Sequence, residues 1–251
     1  MFFVPLFAIL VPVWLGKRLG VYTKKKDGTI SDAPLSSMVG ASLGLFAFML
    51  AFIFQIVGGR YEKRKQLLLE EVADIRSSFL YAGLVPEPFR TSSRKMIVAY
   101  VNIRIDLGHQ PTLDKLKEAK VISQKILDSL WVFSEILAER DRDSEAYVLY
   151  AASISRLATL FNERISVGLN LRLHLAILCV MGIVAFLSML ALGYQFGIAG
   201  GVSNAVVVVL GTTFAVVMWL IFALDRPEEG LIKVNPKAML TLQQQLNARR
   251  I

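Results

Sequence analysis

The sequence predicts an all-α fold: a multi-pass helical membrane protein whose long helices extend into a cytoplasmic helical domain. Three observations carry this reading. Of 251 residues, 55% are hydrophobic and only 19% charged, too apolar for an ordinary soluble domain. Three uncharged stretches, Met38–Gly59, Leu175–Ala199 and Gly200–Leu224, each reach the roughly 20 residues needed to cross a hydrocarbon core. Between them, apolar residues recur at helical spacings, and no alternating run argues for a sheet.

The predicted layout has N-terminal membrane segments over residues 1–59 and a cytoplasmic helical domain over 60–172, then a transmembrane hairpin over 173–224 and a cytoplasmic tail over 225–251. Met1 to Leu15 reads as a short first span, ending abruptly at Gly16 and Lys17 despite Pro5 and Pro12. It lacks the basic start and small-residue cleavage pattern of a signal peptide. The second span is expected to continue as an amphipathic helix through "YEKRKQLLLEEVADIRSSFLYAG", with Leu67, Leu68, Val72, Ile75 and Phe79 on its apolar face. Gly83, Pro86 and Pro88 stop it, since both residue types suit helix ends.

A helix is expected from Ser92 or Ser93 to about Leu107, followed by a break at Gly108 to Pro111. A longer one follows, with Leu113, Leu116, Ile126, Leu130, Phe133 and Leu137 as its stripe and "RDRDS" as its exit. The next carries Val148, Leu149, Ala152, Leu157, Leu160, Phe161 and Ile165, and its pattern allows an unbroken run through Arg172 into the third span. Uncharged, glycine-containing "LGYQFGIAGG", residues 192–201, supplies the hairpin turn.

If the last two spans form a hairpin, the central block and the tail share one side. Arg60, Lys63, Arg64, Lys65, Arg164, Arg172, Arg226, Lys233 and Lys237 lie near the spans on that side, and the hairpin loop offers no counterpart. The excess of Lys and Arg beside cytoplasmic span ends places that side in the cytoplasm of a plasma or inner membrane. Lys17, Arg18, Lys24, Lys25 and Lys26 oppose this if the first segment crosses, five charges against nine. A net charge of +8 beside membrane spans suits anionic headgroups, and no aromatic-and-basic pattern suggests nucleic acid.

Catalysis finds little support. His109 and His174 lack an H-E-x-x-H companion and Cys179 lacks a CxxC partner, so no metal, cofactor or catalytic residue is assigned. Glu70 and Glu71 are adjacent and diverge on a helix, while Glu62, Gln66, Asp74 and Ser78 read as a solvated face. Gly40 with Gly44, and Gly193 with Gly197, have the four-residue spacing of close helix packing in lipid. No Asp, Glu, Lys or Arg lies within the three uncharged stretches, which disfavours a proton-coupled pump. A multimeric pore needs only one face from each subunit. Phe48, Phe52 and Gln55 in the second span and Asn204 in the last are the pore candidates.

After the last span, "FALDRPEEG" turns from apolar to charged within a few residues. Asp225 is expected to pair with Arg60 or Arg64 at the base of the second span. Arg226 can reach headgroup phosphate, Pro227 bars helix continuation and Gly230 lets the chain turn back.

Four local patterns carry a family resemblance: "RYEKRKQLLLEEVADI", with Arg60, Tyr61, Arg64 and Glu71, then "YAGLVPEPFR", "YVNIRI" and "LDRPEEG". They resemble the bestrophin-like domain proteins of bacteria and plants, across nearly the whole chain. Asp225, Arg226, Pro227 and Gly230 match the family's pattern. Glu228 stands where a bulky apolar residue is common, which argues against an apolar gate there. The resulting membrane-interface clamp comprises Arg60, Tyr61, Arg64, Glu71, Asp225, Arg226, Pro227 and Gly230.

Bestrophins are pentameric anion channels with cytoplasmic helical domains and calcium or other gating inputs. The resemblance therefore implies an oligomeric ion-conducting membrane protein, with anion selectivity open. "DRDSE" and "DRPEE" lack EF-hand spacing. The implied partners are the lipid bilayer, further copies of the chain and an inorganic ion, with no nucleic acid. The alternative is a membrane-anchored scaffold or regulator acting through its helical domain.

Overall fold

Apolar residues at helical spacing fold the chain into an all-α structure. A computed structural model describes residues 3–27, 32–109, 113–170, 173–200, 204–225 and 237–248. These form α1 (Phe3–Asp27), α2 (Asp32–Tyr81), α3 (Phe89–His109), α4 (Leu113–Arg140), α5 (Glu145–Asn170), α6 (Leu175–Ala199), α7 (Asn204–Asp225) and α8 (Lys237–Ala248). The chain divides into two compact units, Met1–Tyr61 with Arg172–Ile232 and Glu62–Leu171 with Lys233–Ile251. Helix α2 contributes to both.

The first unit contains α1, the N-terminal part of α2, α6 and α7. Ile9, Val13, Phe46, Leu50, Met181, Met189, Ala215 and Ile221 belong to its buried core. Among the described residues, four helices are long and apolar enough to cross a membrane: α1, α2, α6 and α7. The helix that carries the first apolar segment runs beyond Leu15, to Asp27. Gly16 and Gly20 act as contact points in that helix. A Cβ at Gly16 would overlap the Leu190 carbonyl, and one at Gly20 the Tyr194 carbonyl. Gly193 and Gly197 of α6 meet the Val13 and Lys17 carbonyls in the same way. Four-residue glycine spacing on both helices thus brings backbone against backbone. Gly40 and Gly44 have nothing within 4 Å of an added Cβ and serve no such crossing among the described residues.

This packing also moves the hairpin turn. Residues 192–199 remain helical, and the chain leaves α6 at Gly200, whose φ of 73° is left-handed. Lys24 Nζ donates to the Ile198 carbonyl at 2.7 Å, satisfying an acceptor at the end of α6. Nor does α5 run unbroken into α6. It ends at Asn170, and His174 is extended at φ −61° and ψ 136°.

The second unit is built from the C-terminal part of α2 with α3, α4, α5 and α8. Its core includes Ile75, Phe79, Ile97, Tyr100, Leu130, Leu137, Tyr150 and Leu157. Helix α2 stops at Tyr81 before the Gly-Pro segment. Helix α3 begins at Phe89, earlier than the serines suggest: the Pro86 carbonyl accepts from Arg90 N–H at 3.1 Å and Glu87 Oε2 from Thr91 N–H at 3.2 Å. Pro88 suits this first turn because its missing N–H would have lacked a helical partner. The tail contains α8, absent from the expectations above. Met239, Leu242 and Leu246 are its buried face, and Gln243 Nε2 donates to Asn102 Oδ1 on α3 at 2.7 Å.

Candidate functional site

In α2, Phe48 and Phe52 lie one turn apart and Gln55 follows three residues later, so all three share a helix face. That face is open within the chain: Phe48 is 70% exposed, Phe52 56%, and Gln55 is also exposed. Phe46 instead points into the first unit's core, its ring centroid 5.1 Å from that of Phe214. Asn204 begins α7, and its side chain lies outside the described residues. Span hydroxyls also join helices: Ser188 Oγ donates to the Ser42 carbonyl at 3.1 Å.

Asp225 ends α7 and is buried. A carboxylate at a helix C-terminus opposes the macrodipole, so this position needs compensating donors. Leu173 N–H donates to Asp225 Oδ1 at 3.2 Å, and Arg60 Nη1 stands 3.6 Å from the same oxygen. One carboxylate therefore joins α2, the end of α7 and the extended residues before α6. The Leu173 N–H, which precedes the first turn of α6, thus finds its acceptor at the end of α7. Tyr61 packs beside the same unit's core. Arg226, Pro227 and Gly230 lie outside the described residues.

Glu71 belongs to a different cluster, in the second unit. It is 0% exposed, and its Oε1 accepts from Tyr100 O–H at 2.7 Å. Arg104 Nε is 3.3 Å from the same oxygen, and Arg164 engages Oε2. Burial pulls Arg104 below the ordinary guanidinium value and Arg164 down to about 10. It pushes the Tyr100 phenol up to about 12, against the lowering effect of Arg104. Taking charges from water is costly, so such a cluster depends on mutual neutralisation and hydrogen bonding.

The solvated-face reading fails for Asp74 and Ser78, which are buried. Arg156 Nε reaches Asp74 Oδ2 at 2.9 Å, and Ser78 Oγ donates to the Ser153 carbonyl at 3.3 Å. The signal was present in the spacing: Leu67, Glu71 and Ile75 are four residues apart, so the acid sits in the apolar stripe. Among the described residues, no group of three or more His, Cys, Asp or Glu can hold a metal ion.

These spans and the polar clusters define an integral, multi-pass helical membrane protein. Its sequence matches the family model described as Bestrophin-like domain over residues 7–239, and the chain belongs to that family. Three crystal structures of a bacterial bestrophin homolog from Klebsiella pneumoniae share the fold. A tryptophan-to-alanine variant has a TM-score of 0.72 at 17% identity, with 98% of this chain and 96% of that chain covered. A tyrosine-to-alanine variant gives 0.69 at 16%, covering 98% of both chains. The structure solved by zinc phasing gives 0.67 at 18%, covering 97% of both. No curated protein matches the sequence.

Proposed function

We propose that this protein forms an oligomeric, ion-conducting pore, with Phe48, Phe52 and Gln55 of α2 facing the conduction path. The observation that carries this reading is their common exposed face. An amide on a spanning helix is poorly solvated by lipid; a water-containing path between copies would satisfy it, with the neighbouring aromatic rings narrowing that path. Asn204 is the candidate contribution from α7. Family membership and four potential spans support the same reading.

In this proposal the helical block and tail are cytoplasmic, and anion selectivity is the preferred form of conduction, in keeping with the chain's net charge of +8. The Arg60–Asp225 contact serves as a membrane-interface clamp with Tyr61, Arg226, Pro227 and Gly230. Arg64 and Glu71 lie in the helical block, where Glu71 serves the charge cluster with Tyr100, Arg104 and Arg164. Planar-bilayer recording of the purified oligomer tests the function. Conductance is expected, and Phe52→Ala should change it or its ion selectivity by at least several-fold. Silence from a folded oligomer across a range of salts overturns the proposal.

A second reading, a membrane-anchored scaffold, draws on the exposed apolar residues Val121, Ile122 and Val132 of α4. Cross-linking followed by mass spectrometry separates the two. A stoichiometric partner bound through α4 favours the scaffold, and a symmetric homo-oligomer favours the pore.

A further inference from the structure

The second unit contains a cavity of about 230 Å³ onto which Arg64, Arg104 and Arg164 converge from α2, α3 and α5. Its remaining walls are chiefly apolar, including Leu68, Leu107 and Met239, and no acidic residue lines it among the described residues. Glu71 engages both Arg104 and Arg164 but is fully buried. Arg104 Nε, 3.3 Å from that carboxylate, is buried and has no well-aligned hydrogen-bond acceptor among the described residues. The cavity thus combines three guanidinium groups with an oily wall.

We propose that this cavity binds a small soluble organic anion, with a carboxylate or phosphate head held by Arg64, Arg104 and Arg164 and a short apolar body along the wall. Guanidinium groups offer paired donors matched to either head group, and anionic acceptors make the stronger hydrogen bonds. The apolar wall selects the body by removing it from water. Burial already lowers the proton affinity of Arg104 and Arg164, so an added anion would favour their charged forms. This site goes beyond ion conduction and can exist whether or not the protein conducts.

Calorimetric titration of the full chain in neutral-lipid nanodiscs tests the assignment, using hexanoate and hexyl phosphate as probes. Hexylammonium and inorganic phosphate are the charge and body controls, and empty discs provide the background. Saturable binding of at least one organic anion is expected, with no saturable hexylammonium binding and weaker binding of inorganic phosphate. Arg64→Gln should weaken the bound anion at least about tenfold, as expected for loss of a charge-assisted contact.

Gly108→Leu is the folding-tolerant companion. Gly108 lines the cavity, and an added Cβ there meets nothing within 4 Å, so a larger side chain can be introduced at the cavity wall without a backbone clash. It should also abolish binding while the protein remains folded. No saturable binding of either probe, unchanged binding after filling, or equal affinity for inorganic phosphate overturns the proposal. Competition by anionic lipid added to the disc would assign the head group to lipid and overturn a soluble ligand.

Discussion

The two units use different means of cohesion. In the first, α1 meets α6 through Gly16, Gly20, Gly193 and Gly197, and the helices touch backbone to backbone. In the second, large side chains such as Phe79, Tyr100, Leu130 and Tyr150 fill the core, and buried Glu71 joins three helices through Tyr100, Arg104 and Arg164. Lipid is as apolar as a leucine side chain, so close contact and selected hydrogen bonds must favour helix association there. Water drives apolar burial in the other setting, leaving the unit free to combine a large core with a compensated charge cluster.

Breaking the second unit's charge cluster is expected to have the largest effect. Glu71→Ala leaves Arg104 and Arg164 without their carboxylate, and loss of one member of a buried ion pair costs about 3–5 kcal/mol. Glu71→Gln should cost less because its amide oxygen can still accept from Tyr100. Chemical denaturation of the detergent-solubilised chain, followed by hydrogen exchange in α3 and α5, measures both variants. Stability within about 0.5 kcal/mol of the original after Glu71→Ala would remove charge neutralisation from the account.

The corresponding challenge to the first unit is Gly193→Leu. Its Cβ alone would collide with Val13 backbone, and overpacking of this kind costs about 1–3 kcal/mol, or more where backbone must move. The α1–α6 contact should loosen, as read by thermal unfolding and cross-linking of cysteines introduced in the two helices. Gly40→Ala supplies the contrast, because its Cβ would meet nothing within 4 Å. That change should be neutral or gain about 0.5–1 kcal/mol through helix propensity.

Much of this difference is legible in residue order. Long uncharged runs encode the spans, and paired glycines signal close approach. Sequence alone did not identify which glycine pair made a contact: Gly193 and Gly197 meet α1, whereas Gly40 and Gly44 have open space. It also placed the hairpin turn too early, because a glycine that permits a turn also permits packing. Asp74 and Ser78 were misread for a similar reason. Their polarity suggested solvent, although their tertiary partners Arg156 and Ser153 lie about 80 residues away in the chain. The α8 signal, Met239, Leu242 and Leu246, occupies only a short segment and becomes decisive when packed on α3.

Arg60 and Asp225 sharpen the comparison because they bring a charge contact into the mainly apolar first unit. Asp225→Asn removes the negative charge while retaining an oxygen for Leu173 N–H. A double-mutant cycle with Arg60→Gln should therefore isolate about 1 kcal/mol of coupling in chemical unfolding. Additive effects would break the proposed clamp. A further loss in Asp225→Ala would report the Leu173 hydrogen bond separately.

The effect confined to the narrowest range of conditions is the alkaline response of Tyr100. An ordinary tyrosine loses its proton near pH 10, whereas burial pushes Tyr100 up to about 12. Below about pH 10 the phenol is protonated in both folded and unfolded chains, and its stabilising bond to Glu71 is fully present. Between about 10 and 12 the unfolded chain releases this proton first, so rising pH draws the equilibrium toward unfolding. The contribution disappears as pH passes through the folded value. The tyrosinate absorbance of the original protein minus that of Tyr100→Phe should therefore develop late, near pH 12. Tyr100→Phe should also make unfolding less pH-dependent across this interval. A difference spectrum that titrates near pH 10 would break the contrast between a sealed polar cluster in the second unit and an ordinary solvated phenol.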